Sequence, residues 1–287
     1  MAQIRSFRHS EFTPRRRAAE HRRSASVCVP ARETAASIGP VVETLVRLRE
    51  SGVVDQVVVV DAASADGTAA VAAEHGAEVH QESELLPWAG PVLGKGDAMW
   101  RALSVLTGEV VCFLDGDTLD FDERLPCGVL GPLLCGDDVR FVKGAFRRPF
   151  RVGDVELPEG GGRVSELTAR PLLAHFYPEL TDVRQPLAGE VAAYRAVLEA
   201  LPFATGYAVE MAMLIDVYRE VGADSIAQVD LDTRRNRHQP LSALVPMAAA
   251  VLAAVADRLE REGRLTSSPA AARLVERPPL SSVRSTH

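Results

Sequence analysis

The chain has 287 residues, 47% hydrophobic and 25% charged, enough apolar matter for one large α/β domain with an extension and too much for a disordered or fibrous chain. The balance of 39 acidic against 32 basic residues leaves a net charge of −7, which argues against a chain-wide polyanion surface and against nucleic acid as a partner. Four cysteines, Cys28, Cys112, Cys127 and Cys135, contain no Cys-x-x-Cys pair; they read as buried thiols in a reducing cytoplasm, not as a zinc site or disulfide framework.

Residues 1–24 carry seven Arg against Glu11 and Glu20 and lead into no apolar run of the signal-peptide kind, so a flexible basic arm is expected there. From 25 to 150, short β-branched runs alternate with helical periodicity, the pattern of βαβ units on a mainly parallel sheet flanked by helices. Strands are predicted at 26–29, 56–60, 78–80, 110–114 and 140–145. Ile38, Val41, Val42, Leu45 and Leu48 recur at helical spacing before Gly52, a natural helix terminator. Further helices are predicted at 66–75, 95–107 and 123–134, the last interrupted by Pro126 and Pro132.

After 150 the rhythm changes to a smaller, mostly helical half of the same domain, reaching 265. A Pro/Gly-rich surface loop at 152–162 precedes a helix at 163–175, a turn at Gly189 and Glu190, a helix at 207–220 and a strand at 225–231. A long helix follows Pro240. Its apolar stretch, 241–256, falls short of the roughly 20 residues of a membrane span, so a core or subunit-interface helix is expected. Residues 266–287, rich in Pro, Ser and Arg, read as a disordered tail.

Phe113-Leu114-Asp115-Gly116-Asp117 places two carboxylates at the end of an apolar strand. Ligands of open α/β sheets bind at such ends, where Asp-x-Asp can hold a divalent ion bridging a diphosphate; the alternative is an ordinary acidic turn. Asp61 ends a second strand before a turn into a helix, where it could also be only a cap. Of all the basic residues only Lys95 and Lys143 are lysines. Lys95 lies between Gly94 and Gly96 at a predicted helix start, suited to phosphate unless it is simply a surface lysine. It is not a Walker A loop, because three residues instead of four separate Gly90 from Gly94 and Gly96 replaces the Ser or Thr.

Gly162-Arg163-Val164-Ser165 opens a helix with a guanidinium and a hydroxyl, either an anion site or a capped helix with a solvated Arg. Arg234-Arg235-Asn236-Arg237-His238 follows a strand; in an extended chain Arg234, Asn236 and His238 share a face, fitting a diphosphate pocket with Asn236 or His238 near a metal.

In this order, Val29-Pro30-Ala31-Arg32-Glu33, Asp61 to Thr68, Gly94-Lys95-Gly96-Asp97-Ala98 and Asp115-Gly116-Asp117 resemble the nucleotide-sugar half of a GT-A glycosyltransferase. Phe141-Val142-Lys143-Gly144, the run from Gly162 to Leu173, Gln185-Pro186-Leu187-Ala188-Gly189-Glu190 and Gly206-Tyr207-Ala208-Val209-Glu210 resemble more narrowly the retaining glucosyl- and mannosyl-3-phosphoglycerate synthases. The resemblance implies a GT-A fold and a homodimer. It implies hexosyl transfer from UDP-glucose or GDP-mannose to 3-phosphoglycerate with Mg²⁺ or Mn²⁺, in compatible-solute biosynthesis. By the same resemblance Pro30, Ala31, Glu33 and Asp61 line the nucleoside pocket, and Lys95, Asp115, Gly116 and Asp117 meet the donor. Gly162, Arg163, Ser165 and Leu187 hold the acceptor, Glu210 holds sugar hydroxyls, and Arg234 offsets diphosphate charge. Asp117 would ligate the metal with Asn236 or His238. Here Asp-Gly-Asp replaces the family's Asp-Ser-Asp, Asn236 aligns with its usual His ligand, and Ala62 replaces a usual Ser. A sugar-1-phosphate nucleotidyltransferase would want a glycine-rich loop after the first strand, yet residues 30–37 hold no glycine. A non-catalytic nucleotide-binding module would need no separate acceptor site.

Overall fold

The four valines at 57–60 fill one strand, and both of its faces are covered: Val57 and Val59 point into one apolar layer, Val58 and Val60 into the other. Such two-sided burial is what a near-continuous β-branched run demands. The structure, a computed structural model, describes residues 4–14, 23–136, 138–152, 155–158, 160–235, 240–266 and 274–283.

The strands are β1 (Arg5–Arg8), β2 (Ala25–Ala31), β3 (Gln56–Asp61), β4 (Glu78–Gln81), β5 (Val110–Phe113), β6 (Phe141–Arg147), β7 (Phe150–Val152), β8 (Val155–Leu157), β9 (Val191–Tyr194), β10 (Phe203–Ala204), β11 (Ile226–Thr233) and β12 (Glu276–Arg277). The helices are α1 (Ala35–Glu50), α2 (Thr68–Glu74), α3 (Lys95–Ala102), α4 (Arg124–Cys135), α5 (Arg170–Phe176), α6 (Arg195–Ala200), α7 (Val209–Val221), α8 (Leu241–Arg261) and α9 (Leu280–Val283). Eight strands form one sheet in the order β1-β11-β6-β9-β5-β2-β3-β4. Every pairing is parallel except the two made by β9. α1 buries Ile38, Val41, Val42, Leu45 and Leu48 on one face beside α4, while α3, α7 and α8 cover the other.

Several expectations need correction. The basic arm is not wholly flexible, because Arg5–Arg8 pairs in parallel with β11 as the sheet's outer strand; a four-residue polar edge strand with one buried neighbour leaves little periodic signal. The strand β9 follows directly on the turn expected at Gly189 and Glu190, where the sequence pattern predicts no strand. It is short, apolar and inserted antiparallel between β5 and β6, so its pairing is non-local. α3 ends at Ala102 instead of 107. The residues 274–283 are not a disordered tail: β12 pairs with β10 and Leu280 is fully buried.

The long helix expected after Pro240 is present and runs past the apolar stretch 241–256. Leu241–Arg261 spans 21 residues through Pro246 and is long and apolar enough to cross a membrane by length and composition. Its second half nevertheless faces the core through Val251, Ala254, Val255 and Leu259, and its Arg258 Nη2 donates to Asp216 at 2.6 Å.

The antiparallel sense of β9 matters for function. Its first residue, Val191, sits opposite Phe113 at the end of β5, so Gly189 and Glu190 arrive at the same sheet edge as the residues that follow β5, β6 and β11.

Candidate active site

Asp115 follows β5, and its carboxylate lies against Gly189: a β-carbon there would come within 2.3 Å of Asp115 Oδ1, so only glycine admits this approach. Lys95 is the first residue of α3, and its Nζ donates to Asp115 Oδ1 at 2.6 Å and to Glu210 Oε1 at 2.8 Å, the latter from the first turn of α7. Gly96, next to it, faces the Ala204 carbonyl so closely that a β-carbon would lie 1.9 Å from the oxygen. Arg234 leaves β11 and is nearly fully buried; its Nη2 donates to Asp115 Oδ2 and to Thr118 Oγ1, each at 3.0 Å. Its Nη1 forms an ion pair with the buried Glu190.

These charges govern one another. Burial would raise the Asp115 pKa, but the charges of Lys95 and Arg234 outweigh it and hold the carboxylate well below the usual range. Burial pulls Lys95 down, yet Asp115 and Glu210 together lift it above the usual lysine value, so the ammonium is firmly charged. Lys143, buried in β6 beneath this cluster, donates to the Ala188 carbonyl at 2.7 Å, and burial pushes its pKa down to about 8 against the pull of Glu210 and Glu190.

Asp117 differs from Asp115 in exposure. Its side chain is 68% accessible and stands 3.7 Å from Arg234 Nη2. An open carboxylate beside a buried guanidinium fits a Mg²⁺ or Mn²⁺ ion that takes its remaining oxygen ligands from a diphosphate and water. Among the described residues no group of three or more His, Cys, Asp or Glu is placed to hold an ion without such help. Asn236 and His238, the two expected further ligands, lie outside the described residues.

The expected nucleoside side assembles at the ends of β2 and β3, where Ala31 pairs with Asp61 and Pro30 with Val60. The Asp61 carboxylate is already engaged, accepting from Ser64 Oγ at 2.6 Å, Ser64 N at 3.0 Å and Gln81 Nε2 at 3.1 Å. Glu33, at φ 52°, accepts from Ala65 N at 2.8 Å and donates its own N–H to Ser64 Oγ at 2.9 Å. The two loops are thereby laced together. Ser37 Oγ donates to the Gly116 carbonyl at 2.8 Å, tying the Asp115-Gly116-Asp117 turn to α1 and to this side.

The expected acceptor residues lie on other stretches of the chain. Gly162 has φ +71° and rests on the Arg148 side chain, Arg163 stacks its guanidinium 5.3 Å from the Phe150 ring centre, and buried Ser165 begins a turn of π-helix. Leu187 is half-buried and packs against the core in the stretch that leads to Gly189. Sequence reasoning missed Glu190, Thr118, Lys143 and Arg148 as parts of the site. Arg148 carries its guanidinium 5.0 Å from the centre of the Phe146 ring, which Arg234 also stacks on at 5.4 Å. A signal existed for Lys143, the other of two lysines in an arginine-rich chain; nothing in composition marks Glu190, whose partner is 44 positions away.

A mainly parallel sheet flanked by helices, with an acidic pair after one of its central strands, is the architecture of a GT-A-type glycosyltransferase. The model of glycosyl transferase family 2 matches residues 26–147. The glucosyl-3-phosphoglycerate synthase of Mycolicibacterium smegmatis is 44% identical over 241 residues, covering 84% of this chain and 79% of that protein. The crystal structure of mannosyl-3-phosphoglycerate synthase from Rubrobacter xylanophilus superposes with a TM-score of 0.89 at 45% identity, covering 97% of each chain. That of the Mycobacterium tuberculosis glucosyl-3-phosphoglycerate synthase, in complex with Mn²⁺, UDP and glucosyl-3-phosphoglycerate, superposes at 0.85 with 36% identity over 98% of this chain and 100% of that one. The chain belongs to this family of glucosyl- and mannosyl-3-phosphoglycerate synthases, and is a hexosyltransferase.

Proposed function

We propose that the chain transfers a glucosyl or mannosyl unit from a nucleoside diphosphate sugar to the C2 hydroxyl of 3-phosphoglycerate, with retention of anomeric configuration. The observation that carries this reading is the Lys95–Asp115–Arg234 chain of ion pairs beside the open carboxylate of Asp117, with Gly162, Arg163 and Ser165 read as the acceptor's anion site. Asp117 would hold the Mg²⁺ or Mn²⁺ ion, which supplies Lewis-acid neutralisation of charge on the leaving diphosphate. Arg234, buried and fixed by Asp115, Glu190 and Thr118, presents a preorganised positive charge to the same group. Asp115 is held ionised, so it accepts hydrogen bonds from donor hydroxyls and does not act as an acid. Lys95 and Glu210 orient the sugar. Glu190 is buried against Arg234 and is not disposed as a covalent nucleophile, which favours front-face attack with the leaving phosphate taking the acceptor proton.

Donor choice is relaxed in this reading, with GDP-mannose accepted beside UDP-glucose. Ala62 has no side-chain polar group to offer a base, and Thr34 brings a neutral hydroxyl where an acidic residue would discriminate more strongly. A site that pairs with no one base imposes little penalty on another. Four cysteines, three of them buried, suit a reducing cytoplasm. The outward face of α8, with Leu241, Val245 and Leu252 exposed beside Leu167, supports a homodimer. The product is read as a compatible-solute precursor. The decisive experiment incubates 3-phosphoglycerate and Mg²⁺ or Mn²⁺ with each donor alone and with both in competition, following nucleoside diphosphate release. Release with both donors is expected. Release with UDP-glucose alone refutes the relaxed-donor reading, and no release with any donor refutes the function.

A further inference from the structure

Asp97 is a fully buried carboxylate two residues after Lys95. Its partners come from two directions. Arg101, one turn along α3, ion-pairs with Oδ2 at 3.1 Å, and Arg277, from β12, donates Nε to Oδ1 at 2.6 Å and Nη2 to Oδ2 at 3.0 Å. The Leu93 N–H also donates to Oδ2, at 2.9 Å. The same two guanidinium groups gather the carbonyls of the loop before α3: Arg277 those of Ala89 and Pro91, Arg101 those of Leu85, Leu86 and Gly90. These two side chains, with Asp97 between them, tie down the loop that leads into α3.

The segment carrying Arg277 is itself fastened. β12 pairs with β10, Thr205 N donates to the Val275 carbonyl at 3.0 Å, and Trp100 Nε1 donates to the Pro278 carbonyl at 2.8 Å. Glu276 pairs with Arg258 and Arg261 of α8, and Leu280 is fully buried. Arg277 also lies over the Trp100 ring, 5.5 Å from its centre. The strand β10 that it extends supplies the Ala204 carbonyl that faces Gly96. Residues 274–278 are therefore linked to the two positions that follow Lys95, to Gly96 through the β10 strand they pair with and to Asp97 through Arg277.

We propose that Arg277 is a positioning residue for the donor site: by closing on Asp97 it sets the 89–94 loop and hence the direction in which Lys95 leaves the start of α3 toward Asp115 and Glu210. The proposal rests on the glycosyltransferase reading and extends it to a segment about 180 positions away in the chain, the separation of Arg277 from Asp97. Arg277 touches neither Asp115 nor the expected acceptor residues in the contacts above, so its loss acts on one substrate. Lysine cannot replace the fork of donors that reaches a carboxylate and two carbonyls at once.

The test compares wild type, Arg277→Ala and Arg277→Lys as full chains, with initial rates over donor and 3-phosphoglycerate concentrations and with calorimetric titration of UDP and Mn²⁺. The expected result is a rise of about tenfold or more in donor KM and in the UDP dissociation constant for Arg277→Ala, an acceptor KM within about twofold of wild type, and partial recovery in Arg277→Lys. Equal changes in both KM values, or none in a folded Arg277→Ala enzyme, overturn the proposal. Should the alanine variant not fold, the same split at smaller size is expected in Arg277→Lys, and its absence there overturns the proposal. A wild type that binds UDP and Mn²⁺ but turns over no donor refutes the function instead, and the titrations still decide the role of Arg277.

Discussion

The donor side and the acceptor side of the site are built differently. Around Asp115 every charge is matched before any ligand arrives: Lys95, Glu210, Arg234 and Glu190 form one connected set, mostly buried, drawn from five separate elements or their ends. Around Gly162 the groups are adjacent in sequence, and Arg163 lies over the Phe150 ring. In a low-dielectric setting a connected set fails together, because removing one member leaves its partners buried and uncompensated. Adjacent groups on a loop fail singly. In the proposed reading the difference makes the donor side a fixed electrostatic template and the acceptor side a place where one substrate is read.

That contrast can be broken most severely at Asp117. Replacement by alanine should lower kcat by about three orders of magnitude, the scale of losing a preorganised charge-stabilising group at the diphosphate, with the melting temperature unchanged because the side chain is mostly exposed. Near-normal turnover at saturating Mg²⁺ would remove Asp117 from the metal site. Next in size, Arg234→Met should cost both activity, about a hundredfold, and stability, about 3–5 kcal/mol, since Asp115 and Glu190 lose their shared cation. Denaturant unfolding alongside kinetics checks this, and a loss of activity alone would show that the set is not mutually dependent.

Arg163→Ala sharpens the other side of the comparison. It should raise the 3-phosphoglycerate KM about tenfold while leaving the donor KM nearly constant, as expected for one charge-assisted contact. Equal effects on both substrates would dissolve the distinction between the two sides. The smallest effect concerns pH. Lys143 has a folded-state pKa of about 8, below its ordinary value of 10.5, so the unfolded chain binds more protons than the folded one between those limits. Its contribution to stability is therefore present above about pH 10.5 and is lost as the pH falls toward 8. Relative to Lys143→Met, the wild-type chain should gain stability across this window, and parallel unfolding curves for the two proteins would contradict the assigned environment.

Much of the fold was legible because its signals are local. The valines at 57–60 and the spacing of Ile38, Val41, Val42, Leu45 and Leu48 each identify an element, and both elements stand where expected, in β3 and α1. The strands β1 and β9 were not legible: each is four residues long, and each owes its place to a neighbour in the sheet that is remote in sequence. The segment 274–283 misled for a related reason. Its Pro, Ser and Arg content is that of a loose tail, yet Arg277 has a buried carboxylate to meet and Leu280 a core position to fill.

The site divides along the same line. Asp115, Asp117, Lys95, Arg163 and Arg234 could be picked out by residue type, glycine neighbours and position after a strand or before a helix, and these cues also identify the chemistry of a diphosphate and an anionic acceptor. That Asp117 is exposed while Asp115 is held in ion pairs, and that Glu190 is the counter-charge of Arg234, followed only from the folded chain. Burial and pairing depend on the antiparallel return of β9 and the approach of Gly189 to Asp115. Local composition encodes which groups are present and which element each begins or ends. The charge state and reach of those groups depend on distances between segments up to 180 positions apart, as from Asp97 to Arg277, and packing alone sets those distances.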